Sequence, residues 1–299
     1  MLDFKPLQIA DAPLIKPYFE YNKSRFCDYS VGGRVMWREF LQVEYCIQNG
    51  VLYMKLRLPW NGATAFTMPL GPGSGDSITG LRNIMETCKV NSIPLILSSI
   101  SADCIAMLEP HFTVTNRHSS RDWFDYLYNA DDMVTLHGKH FSGQRNHINK
   151  FKSLYPDYRY EVINDENIPK ARLFLTDLFN RLGETDDIAV EEQEKTLEVF
   201  DNHAEYGFTG GLIEVNGHIV SLAVGETVGD TLFVHIEKGD TSYHGAYQMI
   251  VNEFARHNVT DGIKYINREE DVGDEGLRTS KLSYHPVALL EKFTVQITE

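Results

Sequence analysis

The stretch GFTGGLIEVNGHIVSLAVGETVGDTLFVHIEKG, from Gly207 to Gly239, constrains the fold more than any other part of this 299-residue chain. Three runs rich in β-branched and aliphatic residues are separated each time by a two-residue break, Asn216–Gly217 and then Gly229–Asp230. Such pairs supply the positive φ that two-residue hairpin turns require, so the runs predict an antiparallel meander. Asn49–Gly50, between VEYCIQ and VLYMKLRL, predicts another hairpin near the N-terminus.

The flanking patterns give the meander a place in a larger order. DYRYEVI reads as a strand, and residues 167–182 and 191–206 read as two helices. After the meander come the helix HGAYQMIVNEFARHN, the strand IKYINRE, the helix EGLRTSKLSY and the strand LLEKFTVQI. Strand, two helices, three-strand meander, helix, strand, helix, strand is the acetyltransferase-like α/β order.

The first half is a looser version of the same order. It offers a short helix at Leu14–Tyr21, the hairpin, the strand ATAFTMPL, and a helix from Ile78 to Val90 capped by Asp76 or Ser77. In that helix Ile78, Leu81, Ile84, Met85 and Cys88 share one face. The strand PLILSSI, the helix ADCIAMLEP and a return to strand between Phe112 and Leu136 complete it. The expected fold is α/β, with two tandem acetyltransferase-like (GNAT-type) domains and mixed central sheets. The expected division is a degenerate N-terminal domain at 1–136, a basic connecting helix at 137–156 and a C-terminal domain with the donor site at 157–299. Within the connecting stretch, a helix from Ser142 turns Ile148, Phe151 and Leu154 inward and Arg145, Lys150 and Lys152 outward.

Composition narrows the partners. The formal charge is −14, with 42% hydrophobic and 23% charged residues. This is an ordinary globular balance, and its sign disfavours broad phosphate contact, so transfer RNA is a disfavoured partner. Cys27, Cys46, Cys88 and Cys104 form no CxxC pair and read as buried reduced thiols, which predicts the cytoplasm. The first residues lack the apolar core of a signal peptide, and no window approaches the ~18 apolar residues of a membrane span. The eleven histidines form neither HxH nor HExxH, so no metal is expected.

Three blocks, HGKHFSGQRNHINKF, VHIEKGDTSYHGAYQMIVNEFA and INREEDVGDEGLRTSKLSYHPVALLEKF, resemble those of the phosphatidylglycerol lysyltransferase C-terminal domain family. That family is similar to Fem-type aminoacyl transferases in having tandem acetyltransferase-like domains. The multi-spanning N-terminal region of the membrane synthases has no counterpart in this sequence. The resemblance implies an acyltransferase that moves an acyl or aminoacyl group from an activated donor to an amine acceptor. Coenzyme A or acyl-CoA is the leading donor. The alternatives are an aminoacyl-tRNA-dependent transferase of the lysyl-phosphatidylglycerol synthase type and a non-catalytic module that binds a small anion.

In such folds the fourth strand splays from the fifth, the donor lies on the exposed edge, and the next loop and helix N-terminus cradle its phosphates. Here that assigns donor binding to His235, Ile236, Lys238, Gly239, Tyr243, His244, Gly245, Ala246 and Tyr247. Gly245 keeps only the centre of the usual glycine-rich signature, and a plain strand–turn–helix is the competing reading. Tyr284 is the candidate acid for the leaving group, because a phenol stays protonated at neutral pH yet can donate. Glu237 is the candidate base; alternation would set it with Phe233 and His235, opposite Val234, Ile236 and Lys238. Pairing of Glu237 with Lys238 or Arg268 is its structural alternative. Acceptor binding falls to Arg145 and, in the acidic stretch NREEDVGDEGLR, to Asn267, Glu269 and Glu270.

Overall fold

The computed structural model describes residues 1–72, 77–183 and 187–299, so the predicted cap Asp76 lies outside the described residues. Two compact units emerge: Met1–Asp125 with Glu270–Asp274 and Leu289–Glu299, and Tyr126–Glu269 with Glu275–Ala288.

The first unit is built on a mixed sheet. Its strands are β1 (Lys5–Pro6), β2 (Glu44–Gln48), β3 (Val51–Arg57), β4 (Thr64–Phe66), β5 (Leu95–Ile100) and β6 (Thr113–His118). Asn49 and Gly50 turn β2 into β3 with φ of 54° and 76°, as the Asn-Gly pair predicts. The α2 helix (Ser77–Val90) carries the chain from β4 to its parallel neighbour β5. Its face of Leu81, Ile84, Met85 and Cys88 is buried against Phe66, Leu95, Leu97 and Ile100, with Ile78 packed at the margin.

The second unit contains β8 (Arg159–Val162), β9 (Thr209–Val215), β10 (His218–Val228), β11 (Thr231–Gly239) and β12 (Tyr265–Asn267). The strands β8 to β11 run antiparallel, and both two-residue turns sit where the sequence puts them, with Asn216 at 52°, Gly217 at 83° and Gly229 at 59°. Helices α6 (Ile168–Leu182), α7 (Asp187–Asp201) and the one-turn α8 (His203–Tyr206) fill the connection from β8 to β9. Helix α9 (Ala246–Asn258) links β11 to the parallel β12. The acetyltransferase-like α/β order is therefore present, with mixed sheets in both units.

The division differs from the sequence expectation at both ends. The C-terminal strand, β14 (Phe293–Thr298), lies in the first unit's sheet between β5 and β6, antiparallel to both. Val295 and Ile297 are buried there beside Leu95 and Leu97. Conversely β7 (Asp125–Asn129) pairs antiparallel with β12. Alternation tells which face of a strand is buried but not which sheet receives it. The chain also leaves β7 as a helix rather than a strand. Asn129 accepts from the Asp131 N–H at 3.1 Å and starts α4 (Ala130–Thr135).

Helix α5 (Ser142–Leu154) forms as predicted, but it belongs to the second unit's core rather than standing between domains. Ile148 and Phe151 pack with Met249, Ile250 and Ala246 of α9, whereas Leu154, expected inward, is 45% exposed. No helix among the described residues is long and apolar enough to cross a membrane.

Ile297 is buried in β14. Ile297→Ala should therefore cost about 2–5 kcal/mol in urea unfolding, whereas Thr298→Ala, at the exposed end of the strand, should change stability by less than ~0.5 kcal/mol.

Candidate functional site

The β11 strand has β12 beside it only from Thr231 to Phe233. From Val234 to Gly239 no strand is paired to that edge among the described residues, so the predicted splay is present. Its other edge stays on β10, with one irregularity: Val224 faces Ile236 and Gly225 faces Val234, leaving His235 as an extra residue in a β-bulge. A Cβ on Gly225 would come within 2.1 Å of the Phe233 carbonyl oxygen, so only glycine fits opposite the bulge.

The bulge overturns the expected alternation. Cross-strand partners share a face, so Phe233, Ile236 and Lys238 lie with Glu226, Val224 and Leu222. Val234 and Glu237 take the opposite face with Gly225 and Ala223. Val234 and Ala223 belong to the core cluster that includes α9 and Tyr284. Glu237 is thereby delivered to the same side as Tyr284.

There Glu237 Oε2 accepts from Arg268 Nε at 2.9 Å and Nη2 at 2.6 Å. The Arg268 guanidinium lies 4.8 Å from the centre of the Tyr284 ring and 5.7 Å from that of Tyr128. Burial alone would lower the pKa of Arg268, but Glu237 and the two phenols outweigh it and hold the pKa above its ordinary value. Burial raises the Tyr284 phenol well above its usual range, with Arg268 opposing and Glu237 reinforcing. Tyr284 therefore remains a protonated donor at neutral pH.

Polar clasps set the position of Tyr284. It follows α10 (Glu275–Leu282), where Lys281 Nζ donates to the Arg268 carbonyl at 2.6 Å and the Lys281 carbonyl accepts from the Tyr128 hydroxyl at 2.8 Å. Gln144 on α5 donates to the Ser283 carbonyl at 2.6 Å.

The remaining sequence candidates are sorted by their contacts. His235 is a buried side chain held between carboxylates, with Nδ1 2.7 Å from Glu269 and Nε2 3.1 Å from Glu226. Burial would lower its pKa, but Glu226 and Glu269 raise it to about 9. Lys238 pairs with Glu192 at 2.8 Å. Asn267 is buried, and its side chain receives the Glu269 N–H at 2.7 Å. Arg145, expected outward toward substrate, instead donates to the carbonyls of Leu136 and Gly138, the latter at 2.6 Å. Glu270 falls in the first unit, where it pairs with Lys292, so it does not join the other candidates.

The loop from Gly239 to α9 is furnished differently from a phosphate cradle. Asp240 Oδ1 accepts from Ser242 N at 2.9 Å and Oγ at 2.6 Å, and its other oxygen pairs with Arg181 at 2.8 Å. Gly245 has φ of 83°, and an added Cβ would lie 2.5 Å from the His147 carbonyl oxygen on α5. The close approach that demands glycine is made by α5. Tyr243 packs at the margin of the core, 5.4 Å ring to ring from Tyr155, and His244 lies 3.3 Å from His147. Ala246 is buried, and the Tyr247 ring lies 3.0 Å from where a Cβ on Gly239 would stand.

Sequence reasoning missed the organising place of Arg268 and the partnership of Glu226 with His235. A charged residue in the apolar run SLAVGETV was the available signal for Glu226.

His235 predicts a pH dependence. Its folded pKa near 9 exceeds the ordinary 6.5, so the stability it contributes is complete below 6.5 and is lost as pH rises through 9. Thermal unfolding should show the melting temperature falling between pH 7 and 9, and His235→Gln should flatten that slope.

Comparison with known proteins agrees with the fold. The phosphatidylglycerol lysyltransferase C-terminal family matches residues 19–296. A conserved protein of unknown function from Bacteroides thetaiotaomicron VPI-5482 is 34% identical, with a TM-score of 0.88 over the whole of both chains. The C-terminal domain of a putative lysylphosphatidylglycerol synthetase from Agrobacterium fabrum shares the fold at 10% identity, with a TM-score of 0.65 over 96% of this chain and 91% of that one. FemX does so at 9% identity, with a TM-score of 0.59 over 98% and 97%. Family and fold together support an acyl or aminoacyl transferase, and the chain belongs to the phosphatidylglycerol lysyltransferase C-terminal family.

Proposed function

We propose that the second unit moves an aminoacyl group from an ester donor of the aminoacyl-tRNA type to an amine acceptor. The observation that carries this reading is the Glu237–Arg268–Tyr284 cluster, placed beside a strand edge with no strand paired to it over 234–239 among the described residues. Backbone N–H groups along an open edge can bind and polarise an ester carbonyl. Glu237 takes the proton of the attacking amine, and Tyr284 returns one to the departing ribose oxygen. Arg268 holds the carboxylate in place and steadies negative charge as it develops.

Coenzyme A has less support as donor. An ionised Asp240 occupies the loop where a diphosphate would rest, although a neighbouring arginine balances it. Burial would raise the pKa of Asp240, but Ser242 and Arg181 lower it below the ordinary value. The basic face next to that loop suits a longer polyanion: Lys139, His140, His147 and Lys150 are all exposed on or just before α5.

Three measurements test the proposal. Glu237→Gln and Tyr284→Phe should each slow aminoacyl transfer from charged tRNA to a panel of small amines by about 10²–10⁴-fold while leaving tRNA affinity unchanged. A non-catalytic module would show affinity without turnover in the unmodified protein. Lys139→Glu with Lys150→Glu should weaken tRNA binding and flatten its dependence on salt. A saturable thermal shift with acetyl-CoA and none with tRNA would overturn the choice of donor. Gly245 is a poor probe for either, because any side chain there would dislodge α5.

A further inference from the structure

The first unit buries a charged cluster that the transfer reaction does not use. Lys292 lies 2.7 Å from Asp28 and 2.6 Å from Asp125, and it also pairs with Glu270. Asp28 is bonded in turn to Arg34 at 3.0 Å and Ser99 at 2.5 Å. Into this cluster projects Cys27, whose Sγ lies 3.4 Å from Lys292 Nζ, 3.4 Å from Asp125 and 3.3 Å from Glu270. The ligand atoms of Cys27, Asp125 and Glu270 fall within 4.8 Å of one another, a grouping that could hold a metal. The lysine ammonium already fills the space among them.

Cys27 differs chemically from the other thiols. Cys46 and Cys88 belong to the apolar core of the unit, and Cys104 is packed against it. Burial pushes Cys88 and Cys104 up to about 11. Cys27 instead sits among charged groups, its thiol hydrogen-bonded to Asp125 and Glu270 and 3.4 Å from the Lys292 ammonium, and its sulfur is the oxidisable atom of the cluster. The Lys292 amine beside it is buried and held by ion pairs to Asp28, Asp125 and Glu270.

We propose that Cys27 and Lys292 are a covalent modification site, at which dioxygen joins them through a reversible Sγ–O–Nζ bridge. The thiol, the ammonium, one carboxylate and O₂ give the bridge, the protonated carboxylic acid and one water. One oxygen atom enters the bridge and the other leaves as water. Sulfur and nitrogen each give up two electrons, which accounts for the four that dioxygen accepts.

Asp125 is the placed proton acceptor, at 2.6 Å from Nζ. Burial pushes its carboxyl up to about 7, with Lys292 opposing and Glu270 and Asp28 reinforcing. The ammonium charge and the Asp125 charge disappear together, so the cluster's net charge does not change and no new buried charge is created. An inserted oxygen suits a 3.4 Å gap better than a direct S–N bond, which would have to draw the packed side chains much closer together. A thiol reductant supplying four electrons restores thiol, amine and water.

The test is mass spectrometry of the whole protein held in oxygen-saturated buffer, digested without reductant. The expected product is one oxygen heavier and two hydrogens lighter, with the Cys27 and Lys292 peptides joined, and dithiothreitol should separate them. Cys27→Ser should abolish the species while leaving the ionic cluster in place. Lys292→Met should abolish it too, and the peptide map of the unmodified protein decides the question even if that variant does not fold. Recovery of Cys27 as thiol or sulfinic acid, with the Lys292 peptide unjoined, would overturn the proposal.

Discussion

The bulge at His235 is the constraint on which the candidate site depends. Without the extra residue, Glu237 would fall on the face of Phe233, away from Arg268 and Tyr284. Two features fix it. Gly225 admits the Phe233 carbonyl at a distance no side chain tolerates, and the imidazolium of His235 is held between Glu226 and Glu269. Burying three ionisable groups is expensive, and the arrangement persists because each charge has a partner at hydrogen-bond distance. The same ion triad joins β11 to the loop after β12, beyond the last β11–β12 pair at Phe233 and Asn267.

Arg268 then does for the opposite face what His235 does for its own. It stands one residue beyond the last parallel pair, and its two hydrogen bonds to Glu237 tie the two strands where they part. Its flat guanidinium also gives Tyr284 and Tyr128 a cationic surface to rest against, so a single side chain fixes both the carboxylate and the phenol. Lysine could not replace it, because a point charge has neither the fork nor the plane.

How far the sequence could be read follows from the range of each signal. Asn49–Gly50, Asn216–Gly217 and the apolar stripe of α2 are local, and they appear where the pattern puts them. The destination of β14 is not local. FTVQIT alternates correctly for a half-buried strand, yet nothing in its letters distinguishes a place beside β12 from one between β5 and β6. The bulge was similarly hidden, because a single inserted residue leaves composition untouched while reversing which side chains face together. Gly245 was legible as a required glycine, but its partner, the His147 carbonyl, belongs to a helix nearly a hundred residues earlier.

The acidic stretch after β12 shows why charge runs mislead when read as surfaces. Glu269 bonds His235, Glu270 bonds Lys292, and Asp271 bonds Arg121 at 3.0 Å, so three successive carboxylates each meet a different cation. They are spent on anchoring the chain where it passes from the second unit into the first, between Glu269 and Glu270. An acceptor amine would therefore have to compete with cations already in place. The exposed basic face around α5 can attract a charged substrate, set on a chain whose net charge is −14. On so acidic a background a polyanion is repelled from most of the surface, and a small local excess of positive charge decides where it can land.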